Sequence, residues 1–158
     1  MNATLEQRIL RLEDLEEIRH LTARYADAIN KGWKGKTVDL DTVAQVFAAD
    51  AHWESHEGEV TVGIDAILAV LPAATSVVEF SMHAFVNPII LVDGDTATGH
   101  WLMWVASVIA DDPRAVYMSA DMTYIRTEHG WRIHTVKVDY GTKLSTADSA
   151  DGAQQART

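Results

Sequence analysis

The sequence predicts an α+β domain whose N-terminal helices pack on a strongly curved antiparallel sheet. Three observations lead there: a helical apolar stripe at the start, four long β-rich runs at the end, and a change of hydrophobic period between them. The 158 residues suit one domain, and 47% hydrophobic content is enough to build a core. A sheet of this kind can curl around its helices and leave a cone-shaped cavity open at one end.

Across residues 4–31, Leu5, Ile9, Leu12, Leu15, Ile18, Leu21, Tyr25 and Ile29 recur at helical spacing. Thr4 with Gln7 and Asp14 with Glu17 both fit the capping-box pattern, which predicts two helical pieces, the first free to pack on a partner subunit. Residues 31–36 read as a loop. A second helix is expected over 40–48, starting at Asp39 or Asp41. Residues 51–62 read as two short strands around Glu57-Gly58, and 63–71 as a third helix stopped by Pro72. Four strands follow, at 77–92, 96–109, 114–127 and 131–143. Their turns fall at Asp93-Gly94, Asp111-Asp112-Pro113 and Glu128-His129-Gly130. Residues 1–144 form the single domain; the tail, 145–158, has almost nothing to bury and is expected to be disordered.

Composition narrows the function classes. A net charge of −10 argues against nucleic acid or anionic lipid as partner. No run approaches the length of a membrane span. The charged, helical start MNATLEQRILRLEDLEE is unlike a signal peptide, so a cytoplasmic location is expected. Without cysteine there is no disulfide, thiolate nucleophile or cysteine metal site. Phosphate loops, nucleophile elbows and H-E-x-x-H motifs are absent too. The expected partner is a neutral, hydrophobic small molecule.

The segment from Phe80 to Phe85 sets a histidine into an apolar strand. Alternation sends Ser81, His83 and Phe85 to one face. An imidazole in a hydrophobic cup is a neutral base near pH 7, since burial disfavours its charged form. A core histidine with both nitrogens bonded reads the same way. The same parity turns Trp101, Met103, Val105 and Ser107 inward, then Val116, Met118 and Ala120, then His134, Val136, Val138 and Tyr140. With Trp53 this defines a substrate-binding wall of Trp53, Ser81, Phe85, Met103, Val105, Met118, Val136, Val138 and Tyr140. Its polar groups would be Tyr25, Asn30, Ser81, His83 and Tyr140, a pocket composition that an ordinary packed core shares.

Other polar clusters read as outward. If Trp53 points inward, His52, Glu54 and His56 share the opposite face at about 7 Å spacing, too far apart for shared ligation, so no metal is expected. His100, Trp104 and Asp121 face outward and suggest a subunit interface, with a homodimer as the default. Asp27 lies on a different helix face from Tyr25.

Over roughly residues 10–143 the chain resembles the SnoaL-like families of the nuclear transport factor two-like superfamily, whose fold is a cystatin-like α+β cone. The resemblance rests on I-R-x-L-x-x-x-Y-x-x-x-I-N, F-A-x-D-A-H-W, S-M-H, T-A-T-G-x-W and H-G-W-R-I, in that order. Such enzymes include scytalone dehydratase, bile-acid 7-alpha-dehydratase, hexachlorocyclohexane dehydrochlorinase, polyketide cyclases and ketosteroid isomerase. The resemblance implies cofactor-independent proton abstraction in an apolar cone. It puts His83 at the place of the catalytic base, Tyr25 at that of a tyrosine or lysine, and Trp53 at that of a pocket-wall tryptophan. Asn30 falls where those enzymes carry an aspartate that orients the histidine, and Val105 where one carries another acid. Asn30 can accept an imidazole N–H but cannot supply the charge that stabilises an imidazolium.

The leading expectation is a lyase or dehydratase acting on a cyclic or aromatic molecule, with catalytic residues His83, Tyr25 and Asn30. An isomerase or polyketide cyclase uses the same proton abstraction. A non-catalytic ligand-binding protein is the rival from another class, favoured by Asn30 and Val105.

Overall fold

A computed structural model describes residues 4–145. Helix α1 (Leu5–Ala28) leads through a single 3-10 turn (Trp33–Gly35) to α2 (Leu40–Val46). Strands β1 (Phe47–Glu54) and β2 (Val60–Val62) precede α3 (Ile64–Ala74). The long strands β3 (Phe80–Asp93), β4 (Thr96–Ile109), β5 (Asp112–Thr127) and β6 (Gly130–Ser145) complete the chain. The fold is α+β, with one six-stranded sheet in the order β2-β1-β6-β5-β4-β3. Every pairing is antiparallel except β1 with β6, which is parallel. Helix α1 packs on β3 and β6, and α3 packs on β1.

The N-terminal helix is one continuous element rather than two pieces. Thr4 and Gln7 do form a capping box. Asp14 and Glu17 are engaged elsewhere: Asp14 Oδ1 accepts from Trp131 Nε1 at 3.0 Å and from Arg126 Nη2 at 2.7 Å, and Glu17 Oε1 accepts from the Trp131 backbone N–H at 3.0 Å. Both carboxylates thus fasten the helix to β6 instead of restarting it. Before this anchor α1 leaves Leu5 and Leu12 71% and 64% exposed among the described residues.

Further along, α1 is buried. Tyr124, fully buried, joins helix to sheet: its hydroxyl lies 2.8 Å from Thr22 Oγ1 and accepts from Trp101 Nε1 at 3.0 Å. Gly99 makes that junction fit, because a Cβ there would lie 2.9 Å from Trp101 Nε1. The core spreads from here through Ile18, Leu21, Val43, Val46, Ile67, Met122, Trp131 and Ile133, all buried.

Several boundaries differ from the sequence reading, each for a local reason. Helix α2 stops at Val46 because Phe47 and Ala48 open β1 and are buried in it. Helix α3 runs past Pro72 to Ala74, so that proline sits inside it. The missing N–H falls in the last turn, where Thr75 closes the helix through its N–H and hydroxyl, both donated to Leu71 O. The β4–β5 turn is Ala110-Asp111, both at positive φ, and β5 begins directly at Asp112. Ser145, assigned to the tail, still pairs with Arg114; the rest of that tail lies outside the described residues.

Two bulges reset the strand parity. On β3, an edge strand, the ladder slips between Val86 and Ile89 around Asn87, whose φ is +51°. Ile90 and Val92 therefore pack inward while Ile89 and Leu91 are exposed. On β6, a slip between the pairs Thr123↔Thr135 and Tyr124↔Ile133 turns His134 outward, contrary to its expected inward place. His134 lies beside Asp50 and His52 instead.

Candidate active site

Tyr25 on α1 and Ile29 at its C-cap form one wall of an apolar chamber of about 190 Å³. Trp53, Ser55 and His56 close it from the end of β1. The sheet supplies His83 and Phe85 from β3, Met103 and Val105 from β4, Met118 from β5, and Val136 and Val138 from β6. Most of the expected wall is therefore brought together. The parity of β3 and β4 holds up to the β3 bulge, which lies just beyond Phe85.

His83 sits at the polar spot of this wall. Asn30 Oδ1 accepts the His83 backbone N–H at 2.7 Å and lies 3.2 Å from His83 Nδ1. The backbone N–H can only donate, so the amide oxygen, not its nitrogen, occupies that place. Nδ1 then carries the ring proton, and Nε2 is left with its lone pair. Burial pushes the His83 pKa down from 6.5 to about 4, so the ring is neutral at pH 7.

The chain arrives at this contact by a specific route. After α1, Lys31 bridges to Ser81 through two backbone hydrogen bonds, 3.2 and 3.0 Å. Gly32 follows at φ +90°, and a Cβ there would lie 2.7 Å from Glu79 O. Only glycine allows the chain to press so closely on β3, and this approach sets Asn30 against His83.

Tyr25 is 4% exposed, with its ring edge-on to Phe47 at 5.1 Å and tilted against Phe85 at 5.9 Å. Burial raises its pKa to about 12, and a hydrogen bond from Trp53 offsets only part of that. The phenol keeps its proton at neutral pH and is a hydrogen-bond donor beside a neutral imidazole. The arrangement offers one proton acceptor and one hydrogen-bond donor in a largely apolar hollow.

Three expected positions lie outside the wall. Ser81 is buried, but its hydroxyl is directed to the Ile29 carbonyl at 3.4 Å, where it braces α1 against β3. Asn30 contacts His83 and does not line the chamber. Tyr140 keeps the wall's parity, paired with the lining residue Met118, but is 51% exposed, with its ring 5.8 Å from that of His56. Conversely, His56 was expected outward and belongs to the chamber. Strand β1 ends at Glu54, and residues 55–59 form a turn pinned by Ser55, so alternation no longer governs His56. The Glu57-Gly58 turn is the feature that marks where alternation ends.

The outward residues behave as surface. His100 Nδ1 pairs with Asp121 at 2.7 Å within the same chain, and Asp27 pairs with Lys36 at 2.6 Å. Among the described residues no group of three or more His, Asp or Glu side chains is placed to hold a metal. No helix among them is long and apolar enough to cross a membrane.

Residues 10–137 match the SnoaL-like domain, which is most of the chain. The protein belongs to the SnoaL-like family. No curated protein matches it. Solved structures share the architecture. A candidate aromatic ring hydroxylase from Novosphingobium aromaticivorans is 27% identical over 88% of this chain and 97% of its own, with a TM-score of 0.72. A nuclear transport factor two-like protein with a cystatin-like fold, from the same organism, is 25% identical over 92% and 93%, with a TM-score of 0.73. The hexachlorocyclohexane dehydrochlorinase of Novosphingobium barchaimii is 13% identical over 87% and 92%, with a TM-score of 0.76, a likeness of fold alone.

Proposed function

We propose that the protein is a cofactor-independent lyase that removes a proton from a hydrophobic cyclic or aromatic molecule held in the chamber. The observation that carries this reading is the Asn30–His83 contact, which fixes one neutral tautomer at an apolar wall. His83 Nε2 takes the proton. Tyr25 donates a hydrogen bond to the oxygen on which charge develops. Asn30 is a positioning residue that holds the ring. The rings of Tyr25, Trp53 and Phe85 suit a flat substrate, and the SnoaL-like scaffold with a dehydrochlorinase among its neighbours supports a proton-abstracting elimination.

The test uses 2-tetralone, a bicyclic ketone, in deuterated buffer, with loss of its α-proton signal followed by NMR. The wild-type protein should accelerate exchange. Replacing His83 with Ala should reduce that acceleration by about 10²–10⁴-fold, the usual worth of a general base. Equal exchange with both proteins would leave a ligand-binding role, which the uncharged Asn30 partner favours, as the better account.

The outer face of the sheet exposes Ile89, Leu91, Leu102, Trp104 and Tyr117, with the last two rings 6.0 Å apart. We infer a homodimer through this face. Trp104→Glu should shift sedimentation velocity from dimer to monomer, and a monomeric wild type would refute the inference.

A further inference from the structure

The chamber is not the only hollow that His83 borders. A groove of about 420 Å³ opens between α1 and β3, with Arg19, Asp27, Asn30 and Trp101 among its walls. His83 and Phe85 are the two residues common to both hollows. They differ in how they are held. His83 is tethered at its backbone and its ring by Asn30. The Phe85 side chain has no such tether and makes ring contacts, 5.9 Å from Tyr25 on the chamber side and 6.1 Å from Trp101 on the groove side.

We propose that Phe85 is a partition and that the groove is a second substrate compartment behind it. The two hollows differ in chemistry. The chamber wall is almost wholly apolar, whereas the groove offers a guanidinium, a carboxylate and an amide. A molecule using both would have a flat apolar ring system in the chamber and a polar substituent in the groove. Size sets the limit that Phe85 enforces. A closed apolar cavity of about 150 Å³ accepts one benzene ring, so 190 Å³ with an open mouth suits about one to two fused rings. Larger ring systems must displace Phe85. Because His83 stands at the junction, a ligand crossing the partition keeps its middle portion against the imidazole. The proposal rests on the chamber being a ligand site, and its test separates the two.

Binding of 2-naphthol and of 1-pyrenemethanol is measured by fluorescence titration to the wild type, Phe85→Ala and Phe85→Leu, with thermal unfolding run on each as a check of folding. Phe85→Ala should tighten 1-pyrenemethanol by at least about tenfold while weakening 2-naphthol, which loses the Phe85 ring as a wall, with Phe85→Leu moving each the same way by less. Adding Ala23→Trp, which fills the exposed groove wall, should reverse the gain for 1-pyrenemethanol and spare 2-naphthol. Parallel changes for both probes, or a gain that survives Ala23→Trp, would overturn the partition while leaving the chamber as a ligand site. Failure of 2-naphthol to bind any of these proteins would overturn both.

Discussion

Restoring a carboxylate at position 30 tests what holds His83 neutral. The fall of its pKa from 6.5 to about 4 corresponds to about 3 kcal/mol in favour of the uncharged ring, at ~1.4 kcal/mol per pH unit. Its cause is desolvation alone, since Asn30 contributes no charge. In Asn30→Asp the acceptor stays 3.2 Å from Nδ1 but becomes anionic. Unit charges about 4 Å apart in an effective dielectric of about 20 attract by about 4 kcal/mol. That attraction slightly exceeds the burial penalty, and the new carboxylate's own desolvation takes back part of it. The His83 pKa should therefore rise to about 6–7. Long-range proton–nitrogen NMR of the imidazole, followed across pH, reads the value directly and also reports which nitrogen is protonated. The wild-type ring should show the Nδ1–H form from pH 5 upward. A variant ring still titrating below about pH 5 would refute both the electrostatic account and the role given to residue 30.

Two further outcomes follow from the same groups. The lowered His83 pKa means the unfolded chain binds a proton that the folded chain refuses between pH 6.5 and about 4, so stability falls as pH falls through that window. Urea titrations should show His83→Ala losing less stability than the wild type from pH 7 to 4, by on the order of 3 kcal/mol; identical pH profiles would contradict this. Tyr124→Phe removes the hydroxyl that accepts from Trp101 and contacts Thr22, and leaves the buried indole N–H unpaired. It should cost about 1–3 kcal/mol in the same titrations, and a loss below about 0.5 kcal/mol would show that the junction is dispensable.

Where one physical rule acted alone, the sequence was readable. Alternation over 14 residues placed β4 to the residue, and with it the inward Trp101 and Met103. Helical spacing put Leu21, Tyr25 and Ile29 in one buried stripe. Where two rules competed, reading failed. Asp14 and Glu17 satisfy a local capping pattern, but the Trp131 N–H groups and Arg126, more than 100 residues away, win both carboxylates. His134 faces outward because it is the extra residue of a bulge, and bulges leave little trace in composition. His56 escaped because strand parity was carried two residues past the strand's end at Glu54. The parallel β1–β6 pairing depends on how the chain returns in space, which no local period encodes.

The weak base in this chamber constrains what it can deprotonate. Turnover near 10 s⁻¹ corresponds to a barrier of about 16 kcal/mol, so a carbanion intermediate can lie no higher than that. At ~1.4 kcal/mol per pH unit, this allows a gap of about 12 between the pKa of the carbon acid and that of the base. With His83 at about 4, the carbon acid must titrate at or below about 16 inside the chamber. Simple ketones in water lie above that ceiling, so the substrate must be activated by conjugation, or its oxygen must be stabilised by the Tyr25 proton as charge develops. Removing that donor with Tyr25→Phe should therefore reduce turnover of weakly acidic ketones far more than that of conjugated ones. Asn30→Asp should raise the ceiling by the same two to three pH units that it adds to His83, and so widen the range of substrates toward less acidic ones. Under the proposed function, an amide at this position would select for acidity in the substrate as well as orienting the ring.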